Sequence, residues 1–161
     1  MQPANKKFLQ CCALVCLALV TISPAAAKQD ILKPDEAFRY TVTATPGEMS
    51  VQWTIEPGHY LYKERMSYAS RTAAVTIGEA RMPAGEAHED EFFGEMHIYR
   101  NAAEIRIPIA TRAAGADTLE LELRSQGCAD IGLCYPPQVW TTRVDLPAPD
   151  ATAGGTLARM M

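Results

Sequence analysis

The chain of 161 residues is 48% hydrophobic and 21% charged, and its formal net charge is −4. This composition is that of a globular domain and excludes a collagen-like protein, a coiled-coil array and a polytopic membrane protein. An acidic chain without clustered Lys and Arg also lacks the basic surface that nucleic acid or anionic lipid requires, so neither is an expected partner.

The N-terminal segment has the residue order of a cleaved secretory signal. Lys6 and Lys7 precede an apolar run over residues 8–22, and Ala25-Ala26-Ala27 follows that run. The run is short for a transmembrane helix, and no charged stop comes after it. We therefore predict that residues 1–27 are a signal peptide and that the exported protein has no membrane span.

Cleavage after Ala27 would leave 134 of the 161 residues, which is the size of one domain. Lys6 and Lys7 leave with the signal, so 13 basic and 19 acidic residues remain and the net charge becomes −6. We predict one domain over residues 28–146. A flexible tail is predicted over residues 147–161, because its first part is rich in Pro, Ala and Gly.

The domain reads as short strands separated by turns. Apolar and polar residues alternate over 38–44 and again over 49–55, with Pro46-Gly47 between them, which predicts a hairpin with one exposed face. Further strands are predicted, in chain order, at residues 60–62, 73–77, 105–109, 119–123 and 140–146. Six to eight strands at a spacing of roughly ten residues predict an all-β fold, an immunoglobulin-like antiparallel β-sandwich.

Of the five cysteines, only Cys128 and Cys134 lie outside the predicted signal. Thiols this close in an exported protein normally form a disulfide, so the bonded form is expected. The segment 126–137 lies between two predicted strands and should form the exposed tip of a hairpin. A bond that closes so short a loop contributes about 2.4 kcal/mol as a brace, whereas an exposed bond is open to attack by another protein's thiolate. The spacing leaves both a structural disulfide and a redox-active pair open.

A second segment places three acidic residues beside two phenylalanines and a glycine, in His88-Glu89-Asp90-Glu91-Phe92-Phe93-Gly94. One interpretation is a solvated turn whose phenylalanines enter the core. The other is a lid on a glycine hinge that covers a reactive sulfur pair, whose thiolate the nearby carboxylates would disfavour. By the same reasoning, Tyr60 and Tyr62 are either core aromatics or residues that line a site.

Common catalytic and metal-binding signatures are missing from the sequence. It contains no G-x-S-x-G, H-E-x-x-H, C-x-x-C or phosphate-binding glycine-loop motif. His59, His88 and His97 together with the two cysteines match no common zinc spacing, and oxidised thiols would not bind the ion. We therefore expect neither a metal nor another cofactor.

Three motifs in a fixed order give the sequence a family resemblance. They are Gly58-His59-Tyr60-Leu61-Tyr62-Lys63, the segment 88–94 followed by Ile98-Tyr99-Arg100, and Gln126-Gly127-Cys128-Ala129-Asp130 followed by Cys134-Tyr135-Pro136-Pro137. With these motifs, residues 32–146 resemble the N-terminal domain family of the thiol:disulfide interchange protein DsbD.

The resemblance implies an immunoglobulin-like sandwich in the periplasm that carries out thiol-disulfide exchange, as an electron-transfer component of the protein-disulfide reductase type. It implies a thioredoxin-like electron donor and a membrane electron-transfer protein, both expected on other chains unless this chain is a truncated product. The implied clients are oxidised periplasmic thioredoxin-fold proteins, namely disulfide isomerases and cytochrome c maturation thioredoxins. The alternative is a non-catalytic secreted β-sandwich that binds a partner and keeps its disulfide as a brace.

The resemblance also implies a role for particular residues. Cys134 would form the intermolecular mixed disulfide, Cys128 would resolve it, and Phe92 would be the lid aromatic. The other implied site residues are Asp90, Glu91, Phe93 and Gly94 of a cap loop, and Tyr60 and Tyr62 lining the site. Family members often carry tyrosine at the position of Phe93, so a hydrogen bond from that hydroxyl is absent here.

Overall fold

Residues 31–91 and 93–148 are described by the computed structural model, and every element below lies in the unit that begins at Leu32. The predicted signal and most of the predicted tail lie outside the described residues. Helix among the described residues is limited to one turn at Pro34–Ala37 (α1) and a 3-10 turn at Lys63–Arg65. Among the described residues, neither helix has the length or the apolar character of a membrane-spanning segment.

The described residues form twelve strands, and every strand pairing is antiparallel. The strands are β1 (Phe38–Ala44), β2 (Glu48–Ile55), β3 (His59–Tyr62), β4 (Ser67–Ser70), β5 (Val75–Ile77), β6 (Glu86–Asp90), β7 (Gly94–Tyr99), β8 (Ala102–Arg112), β9 (Thr118–Ser125), β10 (Gly127–Ala129), β11 (Leu133–Cys134) and β12 (Gln138–Asp145).

Two of the sheets contribute to one buried core. The first has the strand order β1-β2-β8-β5, and the second has the order β12-β9-β4. Their apolar side chains form one cluster that includes Met49, Val51 and Trp53 of β2, Ile105 and Ile107 of β8, and Leu119, Leu121 and Leu123 of β9. Side chains at alternate positions of a strand point to the same face, which explains why these residues are two apart. The predicted all-β, immunoglobulin-like antiparallel β-sandwich is confirmed.

A third sheet has the strand order β11-β10-β3-β7-β6 and carries a smaller core of its own. This core consists of Tyr60, Tyr62, Met96, Ile98 and Cys128. The cysteine segment connects β9 to β12, and these strands pair up to Ser125 opposite Gln138, so its predicted position at the tip of a hairpin is confirmed. It is not a simple exposed loop, because it supplies β10 and β11 of the third sheet and Cys128 is buried there.

The alternation of apolar and polar residues along the sequence predicted some strands well and others poorly. The hairpin of β1 and β2 is confirmed, with Phe38 opposite Ile55 at one end and Ala44 opposite Met49 at the other. The segment 88–94, in contrast, was predicted as a loop but lies mostly in the β6–β7 hairpin, whose turn begins after Asp90. Strand β6 is an edge strand with polar residues on both faces, so it shows no apolar alternation.

The buried tyrosines predict a loss of stability at alkaline pH. Burial raises the pKa of Tyr68, and burial together with the charge of Glu64 raises the pKa of Tyr99 to about 12. In the unfolded chain these phenols ionise near the ordinary tyrosine pKa of about 10. Their stabilising contribution is therefore complete below about pH 10 and is lost as the pH rises from there through the folded-state values.

We expect a lower midpoint of urea unfolding at pH 11 than at pH 8, with the disulfide intact at both. Tyr99→Phe should reduce this pH dependence, although it also removes the hydrogen bond that the Tyr99 hydroxyl donates to the carbonyl of Pro83 (2.7 Å). Equal midpoints at the two pH values would contradict the prediction.

Candidate functional site

The two cysteines are bonded to each other but differ in access to solvent. They lie directly opposite on β10 and β11, with a Cα–Cα distance of 4.0 Å. Cys128 is 0% exposed because it packs in the smaller core, whereas Cys134 is exposed on the two-residue edge strand β11. A thiol or thiolate from another protein can therefore approach Cys134 and not Cys128.

A hydrogen-bonded chain connects the buried sulfur to an acidic residue. The Tyr62 hydroxyl lies 3.2 Å from Cys128 Sγ and donates a hydrogen bond to Asp90 Oδ2. Burial, reinforced by the hydrogen bond to Asp90, raises the pKa of Tyr62 far above its ordinary value, so the phenol stays protonated. The Asp90 carboxylate is thus one hydroxyl away from Cys128, and its negative charge disfavours a thiolate there.

The same carboxylate organises the turn between β6 and β7. Asp90 Oδ1 accepts a hydrogen bond from the backbone N–H of Phe93 (2.9 Å). The half-buried Phe93 ring packs edge-on against Tyr62 with the ring centroids 5.5 Å apart. The guanidinium carbon of Arg65 lies over the Phe93 ring, 4.2 Å from its centre. Phe93 is therefore held by both the phenol and a cation.

Tyr60 forms the aromatic wall beside Cys134. Its ring is edge-on to Tyr62 with centroids 5.4 Å apart, and it lies 5.0 Å from the ring of His88. The guanidinium carbon of Arg100 lies 5.0 Å from the Tyr60 ring centre. In the register of the sheet, Tyr60 is the residue opposite Cys128.

An open cleft of about 300 Å³ exposes this arrangement to solvent. It is lined by Tyr60, His88, Glu89, Asp90, Glu91, Gly132 and Cys134. The cleft thus brings together four of the residues singled out in the sequence, and Tyr62 and Phe93 pack next to them. Gly94 begins β7 with a positive φ of 72°, which turns the chain tightly after the loop. Phe92 lies outside the described residues.

Three further residues of the site were not singled out for a role from the sequence. They are His88, Arg100 and Asp130. His88 and Arg100 both contact the Tyr60 ring. Arg100 also forms an ion pair (2.9 Å) with Asp130, which lies between the two cysteines in the ring that the disulfide closes. All of them stand within the motifs that carry the family resemblance, but a motif does not show that residues thirty positions apart are in contact.

The three histidines do not converge on one centre. His59 Nε2 lies 3.3 Å from the Tyr135 hydroxyl, His88 packs on Tyr60, and His97 pairs with Glu64 (2.8 Å). Among residues 31–91 and 93–148, no group of three or more His, Cys, Asp or Glu side chains is placed to hold a metal ion.

Comparison with known proteins finds relatives that match almost all of the described residues. Residues 28–146 match the family model of the thiol:disulfide interchange protein DsbD, N-terminal. The chain is 41% identical over 132 residues to the thiol:disulfide interchange protein DsbD 2 of Pseudomonas aeruginosa, covering 81% of this chain and 21% of that protein. It is 34% identical over 124 residues to DsbD of Yersinia pestis strain Pestoides F, covering 77% of this chain and 20% of the relative. The chain thus spans about a fifth of the length of these relatives.

Solved structures of the same domain also match. The reduced N-terminal domain of Neisseria meningitidis DsbD superposes with a TM-score of 0.66 at 30% identity, over 72% of this chain and 90% of that one. A second match is the complex between the DsbD and PilB N-terminal domains of the same organism. It has a TM-score of 0.61 and 32% identity, and covers 71% of this chain and 87% of the other.

Proposed function

The chain belongs to the family of N-terminal domains of the thiol:disulfide interchange protein DsbD, and from this premise we propose that it transfers reducing equivalents through Cys128 and Cys134. Its proposed activity is that of an electron-transfer component of the protein-disulfide reductase type. The observation that carries the proposal is a disulfide with one buried and one exposed sulfur, the exposed one facing an open cleft.

The unequal exposure assigns different roles to the two sulfurs. In the reduced domain, the Cys134 thiolate attacks one sulfur of a client disulfide, the client S–S bond breaks, and the other client sulfur leaves as a thiolate that takes up a proton. Cys128 then loses its proton and attacks Cys134 Sγ. The Cys128–Cys134 bond forms, the client is released with its second thiol, and two electrons and two protons have passed to the client.

In this mechanism, Tyr62 and Asp90 keep the resolving residue Cys128 in its protonated thiol form. Because the Tyr62 hydroxyl donates a hydrogen bond to Asp90, its oxygen can accept a hydrogen bond from the Cys128 thiol in the reduced domain. The neighbouring carboxylate acts in the same direction, since it disfavours negative charge on the sulfur. Cys128 therefore stays a thiol until the mixed disulfide has formed at Cys134.

We propose that Asp90, Glu91, Phe92, Phe93 and Gly94 act as a cap loop and that Tyr60 and Tyr62 line the site. The bond from Asp90 to the Phe93 backbone supports this proposal, because it joins the turn to the hydrogen-bonded chain that ends at Cys128. The ring contact between Phe93 and Tyr62 supports it as well. Phe92 has the lid role by family resemblance.

The cap predicts a change in thiol reactivity. Phe92→Ala should increase severalfold the rate at which iodoacetamide alkylates the reduced domain, because a lid aromatic excludes small reagents from the sulfurs. Val139→Ala, which trims an exposed side chain on β12, is the matched control and should leave the rate unchanged. Equal alkylation rates for wild type and Phe92→Ala would remove the shielding role.

The proposed partners are a thioredoxin-like donor supplied with electrons by a membrane protein, and thioredoxin-fold clients such as disulfide isomerases and cytochrome c maturation thioredoxins. The complex of the Neisseria meningitidis DsbD and PilB N-terminal domains supports a protein partner for a domain of this fold. We propose a periplasmic location, which the predicted signal peptide supports.

Equilibrium titration of the purified domain against a thioredoxin-like partner, read by thiol trapping, tests the proposal. A carrier should exchange to a measurable extent with such a partner, and its reduction potential should lie close to the partner's. A structural disulfide typically lies below about −300 mV and would stay oxidised throughout. That second result would overturn the proposal in favour of a β-sandwich that binds a partner and uses its disulfide as a brace.

A further inference from the structure

An ion pair holds the loop between the two cysteines. Arg100 Nη1 lies 2.9 Å from Asp130 Oδ1 and 3.1 Å from Asp130 Oδ2, so one nitrogen contacts both carboxylate oxygens. Asp130 stands in the turn between β10 and β11, within the ring that the disulfide closes. Its backbone N–H donates a hydrogen bond to the carbonyl of Gly58 (2.8 Å). The reactive loop is therefore attached to the sheet by a side chain as well as by backbone.

Arg100 is well placed to act as an anchor. It follows β7 directly, and the N–H of Ala102 donates a hydrogen bond to its carbonyl (2.6 Å) in the tight turn before β8. Its guanidinium also lies against the ring of Tyr60, the residue opposite Cys128. The cation thus contacts both the cleft wall and the cysteine loop, and it does so from a turn between two long strands.

This pair and the disulfide restrain the same short segment. Strand β11 consists of Leu133 and Cys134 at the edge of the sheet. After reduction, Cys134 is held by the pairing of β11 with β10, by the hydrogen bond that the Tyr135 N–H donates to the Gly127 carbonyl (3.0 Å), and by the contacts of Asp130. A contact that keeps the loop against the sheet lowers the entropy lost when the two sulfurs meet again. By linkage, the bond and the ion pair must stabilise each other by the same factor.

We propose that Arg100 and Asp130 are a positioning pair that keeps Cys134 close to Cys128 in the reduced domain and so favours closure of the disulfide. The inference rests on the proposed redox function, because only a pair that opens and closes needs such a restraint. Arg100 does not touch the reacting sulfurs. It acts through Asp130 and the loop, and its effect is on the equilibrium between dithiol and disulfide.

The test is the redox equilibrium with glutathione, in which the reduced domain and oxidised glutathione give the domain disulfide and two molecules of reduced glutathione. Arg100→Ala should lower the equilibrium constant for disulfide formation by about three- to tenfold, in keeping with an exposed ion pair and one cation–π contact. A tenfold change corresponds to about 30 mV. Asp130→Ala should lower the constant by a similar or smaller factor.

The double variant Arg100→Ala with Asp130→Ala should behave like Arg100→Ala alone, because either change removes the same ion pair. Arg81→Ala removes the ion pair with Glu48, which lies on the β1-β2-β8-β5 sheet, and should leave the constant unchanged. Circular dichroism and thermal unfolding of the oxidised variants report folding separately. Arg100→Lys, which keeps the charge, replaces Arg100→Ala if the latter does not fold, and should lower the constant to a smaller extent.

An unchanged constant in a folded Arg100 variant, or fully additive effects of the two alanine substitutions, would overturn the inference. A merely structural ion pair would lower the thermal midpoint of the oxidised domain without moving the glutathione equilibrium. The measurement uses no client protein, so a failure of this inference can be told apart from a failure of the proposed function. That failure appears as a wild-type disulfide which resists reduction altogether.

Discussion

Replacing Cys128 with serine should trap a covalent complex between the domain and a thioredoxin-fold client. The exposed Cys134 remains able to attack the client disulfide, but no second thiol in the domain is present to attack the resulting mixed disulfide. Replacing Cys134 with serine should instead lower the rate of complex formation by more than about a hundredfold, because the buried Cys128 cannot reach a client sulfur in line. Non-reducing electrophoresis and mass spectrometry of the mixture measure both outcomes.

The two variants are matched controls for each other, since each loses the disulfide and keeps one cysteine. A difference between them therefore reports the position of the thiol and not the loss of the bond. Thermal unfolding of both variants shows whether each remains folded. If Cys134→Ser formed the complex as fast as Cys128→Ser, the assignment of Cys134 as the attacking sulfur would be wrong.

Gly127→Ala should destabilise the domain strongly and displace the strand that carries Cys128. A Cβ at this position would overlap with the backbone carbonyl oxygen of Tyr60 and would lie 2.8 Å from Cζ of Phe38 and 3.0 Å from a methyl carbon of Leu61. The backbone oxygen belongs to β3, which pairs with β10, so it cannot move away without opening the sheet. Overpacking of this kind lowers the free energy of unfolding by about 1–3 kcal/mol or more.

The control for this substitution is Gly47→Ala. Gly47 follows β1 in the turn before β2, and a Cβ there would have no heavy atom within 4 Å. We expect its free energy of unfolding to change by less than about 1 kcal/mol, since a glycine in an accessible conformation tolerates alanine. Urea unfolding of the oxidised proteins measures both variants. Equal stability of Gly127→Ala and Gly47→Ala would show that β10 does not approach β3 this closely.

Local chain patterns were sufficient for the longer strands of the main core, whereas the four-residue strand β4 was not predicted. In β2, Met49, Val51 and Trp53 alternate with polar residues, and this spacing by itself places them on one face of a strand. The edge strand β6 has no such alternation, and β11 is only two residues long. These strands exist because neighbouring strands offer unpaired backbone groups, which is a property of the assembled sheet.

In the candidate site, too, the sequence identifies some features and cannot predict others. The motifs of the sequence identify Cys128, Cys134 and the acidic aromatic segment, because these residues are unusual wherever they occur. The contacts among them depend on the order of strands in the third sheet, where β10, β3, β7 and β6 are neighbours although they are distant in the chain. The chain through Tyr62 from Asp90 to Cys128 therefore could not be read from spacing.

Composition, alternation and motifs are local properties of the chain, so they were enough to predict the fold class, the family resemblance and the cysteine pair. They could not predict that Cys128 is buried and Cys134 exposed, or that Arg100 contacts Asp130. Burial and contact depend on which strands pair. That pairing is set by packing of apolar side chains over long sequence separations, and in this domain it puts one sulfur inside a sheet and the other at its edge.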